Sequence, residues 1–273
     1  MSFVKNEKLV LVGRGFIAPR HEAAIKYVGG ELLAVCDLDS AKAINDLPFC
    51  RHYPDLQLMP CWKDINTVVV ATPNDTHVEI AKWALDKGKK VILEKPAALN
   101  LKELSQIQHD DCYVVLQLRH HPVMERLRMR KPAKVYLYVK VKRGHDYWTG
   151  WKGDHKRSGG ILANLGCHYL DCVLELYGYD YTVIEAETGE RLATGLLKFK
   201  NGPDVRFRIE IGATDEECDR FIQIDDEFFR FSNKENLSQE DLHKNVYEDF
   251  VQGKGVRPDD LIPLTELLDQ LTL

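Results

Sequence analysis

The chain has 273 residues and a mass of 31.3 kDa, enough for one large or two modest domains whose core needs no disulfide or structural metal. Its composition is ordinarily globular, 44% apolar and 29% charged, and 37 Lys+Arg against 42 Asp+Glu give a net charge of −5, which supplies no drive toward nucleic acid or an anionic membrane. No apolar run reaches membrane-spanning length, the segment from Met1 to Lys8 carries no export signal, and seven scattered Cys fit thiols kept reduced in the cytoplasm.

In the first half, short apolar runs end at Val12, Val35, Val70, Leu93 and Leu116. They lack polar/apolar alternation, as strands buried on both faces of a parallel sheet do. Helical stretches lie between them, notably His77 to Lys87, with Ile80, Ala81, Ala84 and Leu85 on one stripe and Gly88 as its stop. This alternation predicts a doubly wound α/β domain over residues 1–120. Ligands in such sheets sit beyond the carboxyl ends of the strands. At those ends the runs deliver Gly13-Arg14-Gly15, Cys36-Asp37, Ala71-Thr72-Pro73-Asn74, Glu94-Lys95-Pro96 and Gln117-Leu118-Arg119.

From about Pro122 the period changes. Val135, Leu137, Val139 and Val141 alternate with Tyr136, Tyr138, Lys140 and Lys142, a half-buried strand. Leu197–Lys200 and Val205–Ile211 flank Asn201-Gly202 as a hairpin, and Phe221–Phe231 reads as another around Asp225-Asp226. A helix is expected from Ile161 to Tyr177, and packing helices from Asn245 to Leu273. Residues 121–273 are therefore predicted to form an α+β domain on an open, mostly antiparallel or mixed sheet.

Gly13-Arg14-Gly15-Phe16-Ile17-Ala18 fits G-x-G-x-x-G/A between a strand and a helix. Gly13 would allow the tight turn, Gly15 the close approach of a pyrophosphate, and Ala18 helix–strand packing, with the helix N-terminus facing the anion. Phe16, Ile17, Thr72 and Asn74 are assigned to the same cofactor. Asp37 closes the next strand and no Arg follows it, which favours a ribose 2′-OH over a 2′-phosphate and hence NAD over NADP. Glu94 and Lys95, also assigned to the cofactor, reach that edge on the fourth strand, where a lysine ammonium would stabilise an alkoxide developing on a substrate.

In the segment from Ser158 to Asp171, Asn164 and His168 share a helix face at i, i+4. The pattern also fits a core helix with a hydrogen-bonded His. No metal site is expected, because Cys167 and His168 are adjacent, as are His120 and His121, and no second ligand pair is spaced for tetrahedral coordination. The basic run Trp151–Ser158, entered through Tyr147-Trp148, suits a phosphate- or carboxylate-bearing substrate, with Arg119, Tyr147, Lys152 and Arg157 as candidate contacts, though it also reads as a solvated loop.

Together, Gly13-x-Gly15-x-Ile17-x-x-x-His21, Thr72-Pro73-Asn74-x-x-His77, Glu94-Lys95-Pro96 and Gly159-Gly160…Asn164-x-x-x-His168-x-x-Asp171 resemble the Gfo/Idh/MocA oxidoreductases. Trp151-Lys152-Gly153-Asp154 and Leu116-Gln117-Leu118-Arg119-x-His121-Pro122 resemble the branch that oxidises UDP-N-acetylglucosaminuronic acid at the sugar 3-hydroxyl. The resemblance implies a Rossmann domain, a C-terminal sheet domain, homo-oligomers built by sheet-face contact, and His77 among the cofactor residues. It implies an NAD-dependent dehydrogenase with His168 as general base, Lys95 as electrostatic partner and Asn164 in support. Many members carry Asp where this chain has Asn164, whereas the 3-oxidase branch resembles this chain in using Asn. A cyclitol dehydrogenase, a ketosugar reductase and a non-catalytic NAD-sensing regulator are the competing expectations.

Overall fold

A computed structural model describes residues 7–39, 49–50, 53–212, 214, 218–231 and 239–272. The first of its two compact units opens with β1 (Lys8–Val12), α1 (Ala18–Tyr27), β2 (Glu31–Cys36), β3 (Phe49–Cys50) and β4 (Thr67–Val70). It continues through α2 (His77–Asp86), β5 (Lys90–Leu93), the short α3 (Leu101–Leu104) and β6 (Cys112–Val114). The strands form one parallel sheet in the order β3-β2-β1-β4-β5-β6. This is the doubly wound order, whose ligand crevice opens where strand order reverses beside β1. Apolar β-branched runs make these strands: every residue of β4 is buried, as are Leu9 to Val12 of β1. Gly88, at φ +69°, lies just beyond α2 as the sequence expects.

The second unit begins with α4 (Pro122–Arg128), β7 (Lys134–Lys142), α5 (His145–Thr149) and α6 (His155–Ser158). A π turn at Leu162–Gly166 leads into α7 (Cys167–Tyr177). Then come β8 (Tyr181–Thr188), β9 (Leu192–Phe199), β10 (Asp204–Gly212), β11 (Asp219–Ile224) and β12 (Glu227–Arg230). They form a mixed sheet, β12-β11-β7-β10-β9-β8, in which β7 and β10 run parallel and the other pairs antiparallel. Alternation along β7 buries Val135, Leu137, Val139 and Val141, as its period requires. Both expected hairpins form, β9–β10 around Asn201-Gly202 and β11–β12 around Asp225, which adopts φ 52°.

The tail departs from a division at residue 120. α8 (Gln239–Val251) and the stretch through Leu261 belong to the first unit, and only α9 (Ile262–Thr272) rejoins the second. The cause is apolar burial, because Val246, Tyr247 and Phe250 of α8 complete the core formed by Leu9, Leu11, Ile25, Val69 and Ile92. Val256 then pairs antiparallel with Val114, its carbonyl accepting from the Val114 N–H at 2.9 Å. No described helix is long and apolar enough to cross a membrane.

Candidate functional site

In the first unit the glycine turn follows β1 directly. Gly13 has φ +88°, and a Cβ there would lie 2.6 Å from the Ala71 carbonyl oxygen, so backbone conformation and the approach of the β4 loop both demand glycine. At Gly15 a Cβ would meet nothing of the protein, and the exposed Phe16 comes next, with Ile17 as the N-cap of α1. Asp37 sits just past β2, its carboxylate accepting from the Arg14 N–H at 2.7 Å and the Asp39 N–H at 2.8 Å. An open glycine turn, a ten-residue helix beginning at Ala18 and an adjacent carboxylate fit a dinucleotide: Gly13, Gly15 and α1 would hold its pyrophosphate and Asp37 its ribose. Thr72 Oγ1 accepts from Thr76 Oγ1 at 2.8 Å, and Asn74 is buried beside it in the loop.

Two residues assigned to the cofactor, His77 at the start of α2 and Glu94 just after β5, are buried. His77 is fully buried, with Nδ1 2.8 Å from the Pro96 carbonyl and Nε2 3.0 Å from the Thr72 carbonyl. Its ring lies between the two loops, and because burial pulls it below the ordinary histidine range, only one of the two nitrogens donates at a time. Glu94 also turns inward. Its Oε1 lies 3.0 Å from His21 Nε2 and 3.5 Å from His243 Nε2, and its Oε2 accepts from the Lys95 N–H at 3.3 Å. His21 Nδ1 is 2.8 Å from the Tyr247 hydroxyl. Burial alone would push the Glu94 carboxyl up, but hydrogen bonds and charge from His21 and His243 outweigh it and hold it well below the usual carboxylate range. Burial in turn pulls His21 below the ordinary histidine range. Ligand atoms of His21, Glu94 and His243 gather within 4.8 Å, a cluster drawn from three distant chain segments that no spacing in the sequence reveals. Lys95 is the one residue between Glu94 and Ala98 that is not buried.

In the second unit the sequence expects a single α-helix from Ile161, and the structure makes its first turn π. The entry is specialised: Gly159 has φ +74°, and a Cβ there would lie 2.6 Å from Ala163 Cβ. From Ile161 to Leu174 every side chain is buried except Asn164 and His168. π turns often mark functional sites. Asn164 Nδ2 donates to the Tyr147 hydroxyl at 2.9 Å, so these two predicted site residues do meet.

Arg119, expected to contact substrate, has another role. Its Nε and Nη2 donate to the buried Asp171 carboxylate at 2.8 and 2.6 Å, and Glu175 lies 3.5 Å from Nη1. Burial pushes the Asp171 carboxyl up, and the Arg119 guanidinium offsets this only in part. Lys152 lies over the Trp151 ring at 5.6 Å and Arg157 is half-buried in α6. Two cations went unrecognised in the sequence. Arg143 lies 5.5 Å from the Tyr147 ring centroid and Arg191 lies 4.6 Å from that of Trp148, the two rings packing edge to face. Among the described residues neither guanidinium is paired with a carboxylate. Both sit at strand ends outside any motif; Arg143 lies four residues before Tyr147, whereas only tertiary structure brings Arg191 to Trp148.

Residues 8–110 match the Gfo/Idh/MocA oxidoreductase family's NAD-binding Rossmann fold and residues 131–224 its C-terminal alpha/beta domain. The chain is 27% identical over 194 residues to an uncharacterized oxidoreductase of Synechocystis and 27% over 222 residues to a D-apiose dehydrogenase of Paraburkholderia graminis. These alignments take in 63% and 73% of this chain but 52% and 59% of those proteins, so the chain spans little more than half the length of the curated relatives it matches. A crystal structure of the WlbA (WbpB) dehydrogenase from Thermus thermophilus in complex with NAD and UDP-GlcNAcA superposes with a TM-score of 0.83 at 27% identity, covering 98% of this chain and 95% of that one. A myo-inositol 2-dehydrogenase from Lactobacillus plantarum has the same fold, with a TM-score of 0.81 at 17% identity over 98% of this chain and 96% of that one.

Proposed function

The chain belongs to the Gfo/Idh/MocA oxidoreductase family, and within it we propose an NAD-dependent dehydrogenase that oxidises the 3-hydroxyl of a UDP-linked N-acetylated hexuronic acid to the 3-keto sugar. The observation that carries this reading is the segment from Ile161 to Leu174, buried at every side chain except the half-buried Asn164 and His168. Bound NAD supplies the hydride acceptor. His168 takes the hydroxyl proton as general base, the Lys95 ammonium stabilises the alkoxide that develops, and the Asn164 amide orients the hydroxyl. Tyr147, whose hydroxyl accepts from Asn164, joins that amide to the aromatic pair.

A diphosphate and a carboxylate require cations. Arg143 and Arg191 beside Tyr147 and Trp148, with Lys152 and Arg157 on the neighbouring loop, supply them, and the rings offer a surface for uracil or sugar. This favours a charged nucleotide sugar over a neutral cyclitol. The product would enter nucleotide-sugar and surface-polysaccharide biosynthesis in the cytoplasm. The protein would act as a homo-oligomer, dimer or tetramer, through the face of the second sheet that carries Tyr136, Tyr138 and Phe228. Steady-state kinetics test the substrate reading: Arg143→Gln and Arg191→Gln should each raise KM for the UDP-sugar about 10-fold with kcat little changed, as loss of uniform binding does. An unchanged KM in both variants would remove the anion-binding argument.

A further inference from the structure

We propose that His21, His243 and Tyr247 are positioning residues for Lys95, acting through the Glu94 carboxylate, so that helix α8, distant in sequence, helps to order the turn that carries the catalytic ammonium. The proposal rests on the role given to Lys95 above.

Three segments far apart in sequence converge on one carboxylate. His21 comes from α1, Glu94 from the end of β5, and His243 and Tyr247 from one face of α8 at i, i+4. All four side chains are buried. A buried carboxylate is tolerated only when charge or hydrogen bonds replace its lost hydration, and the His21 hydrogen bond, with His243 Nε2 3.5 Å away, meets that need. The ionised carboxylate can only accept, so His21 Nε2–H must donate to Glu94 Oε1 across the 3.0 Å contact. Nδ1 of the neutral ring is then an acceptor, and the Tyr247 hydroxyl must donate to it across 2.8 Å.

Direction is thereby fixed along the whole chain, from Tyr247 to His21 to Glu94. The far oxygen of Glu94 receives the Lys95 N–H at 3.3 Å, and on the other side His77 Nδ1 holds the Pro96 carbonyl at 2.8 Å. Lys95 thus projects from backbone held on both flanks. His21 also feels Arg20 and His243, and His77 feels Glu94 and Lys95, so these are the charged groups that share the cluster's protonation.

The first experiment needs no substrate. Long-range proton–nitrogen spectra of the whole protein labelled with ¹⁵N-histidine should show one ring with Nε2 protonated and Nδ1 bare at neutral pH, taking up its second proton only below the ordinary histidine range. His21→Gln should erase that signal, and Tyr247→Phe should alter its Nδ1 shift. The second experiment compares kcat with NADH affinity on any alcohol that the wild type oxidises. Tyr247→Phe, which keeps the ring in the core, should lower kcat about 5-fold, and Glu94→Gln about 10- to 100-fold, with NADH affinity nearly unchanged. Three results would overturn the proposal: His21 titrating as an ordinary exposed histidine, variants that lose only thermal stability while keeping kcat, or a stoichiometric metal in the purified protein, which would make the cluster a metal centre. If the UDP-sugar is not oxidised at all, the substrate reading fails, and the spectra still decide the relay.

Discussion

At the scale of single residues, the assignments separate by what each side chain is free to touch. His168 and Asn164 are the two half-buried positions on an otherwise buried segment, whereas His77 and Glu94 are buried and hydrogen-bonded within the protein. General-base catalysis contributes about 10²–10⁴-fold, so His168→Asn should cut kcat by that factor with NAD affinity nearly unchanged. Wild-type turnover in that variant would remove His168 from the chemistry. Asp37 has a double task in the structure, because it accepts from the Arg14 and Asp39 N–H groups besides any ribose hydroxyl. Asp37→Ala should therefore weaken NAD about 10-fold or more by titration calorimetry while NADP weakens less, since the repulsion of a 2′-phosphate is relieved. Equal losses for the two nucleotides would mean that Asp37 serves the loop alone.

At the scale of elements, the buried strands and the glycine turn were legible in sequence because each arises from a local pattern. Apolar runs marked β1, β4 and β5, period-two alternation marked β7, and G-x-G after a strand marked the entry to α1. Two strands left no such pattern: β3 is two residues long, and β8 is mostly exposed, so neither face shows an apolar period. The pairing of Arg119 was not legible, because a cation at a strand end looks the same in sequence whether it faces a ligand or a buried Asp171, 52 residues away. His243 and Tyr247 were invisible as site residues for the same reason, since their partners lie in α1 and after β5. The π turn was likewise out of reach, because its entry depends on tertiary contacts of Gly159. Gly159→Ala would place a Cβ 2.6 Å from Ala163 Cβ at φ +74°. The conformation alone costs about 1–3 kcal/mol, so the melting temperature should fall by several degrees and kcat with it. A variant as stable and active as wild type would show that the turn tolerates relaxation.

At the scale of the whole molecule, the buried cluster couples stability to pH. His21 is held neutral by burial, so its folded pKa lies below that of the unfolded chain, and Glu94 is likewise depressed. Both contribute stability that is complete at neutral pH. As pH falls below about 6.5 the unfolded chain takes up a proton that folded His21 refuses, and below about 4.5 Glu94 adds to the loss. Unfolding free energies from urea titrations should therefore begin to fall as pH drops below about 6.5, with a slope of at most about 1.4 kcal/mol per pH unit from His21. A midpoint that rises on acidification would mean that the imidazole is charged in the folded protein. The account as a whole turns on the kind of alcohol that reaches His168. It is tested most directly by monitoring NADH formation from NAD with UDP-N-acetylglucosaminuronic acid, myo-inositol and free hexoses offered in parallel at equal concentration. The account predicts that the UDP-uronic acid is preferred and yields the 3-keto sugar; efficient oxidation of myo-inositol or free hexoses with the UDP-uronic acid inert would contradict it.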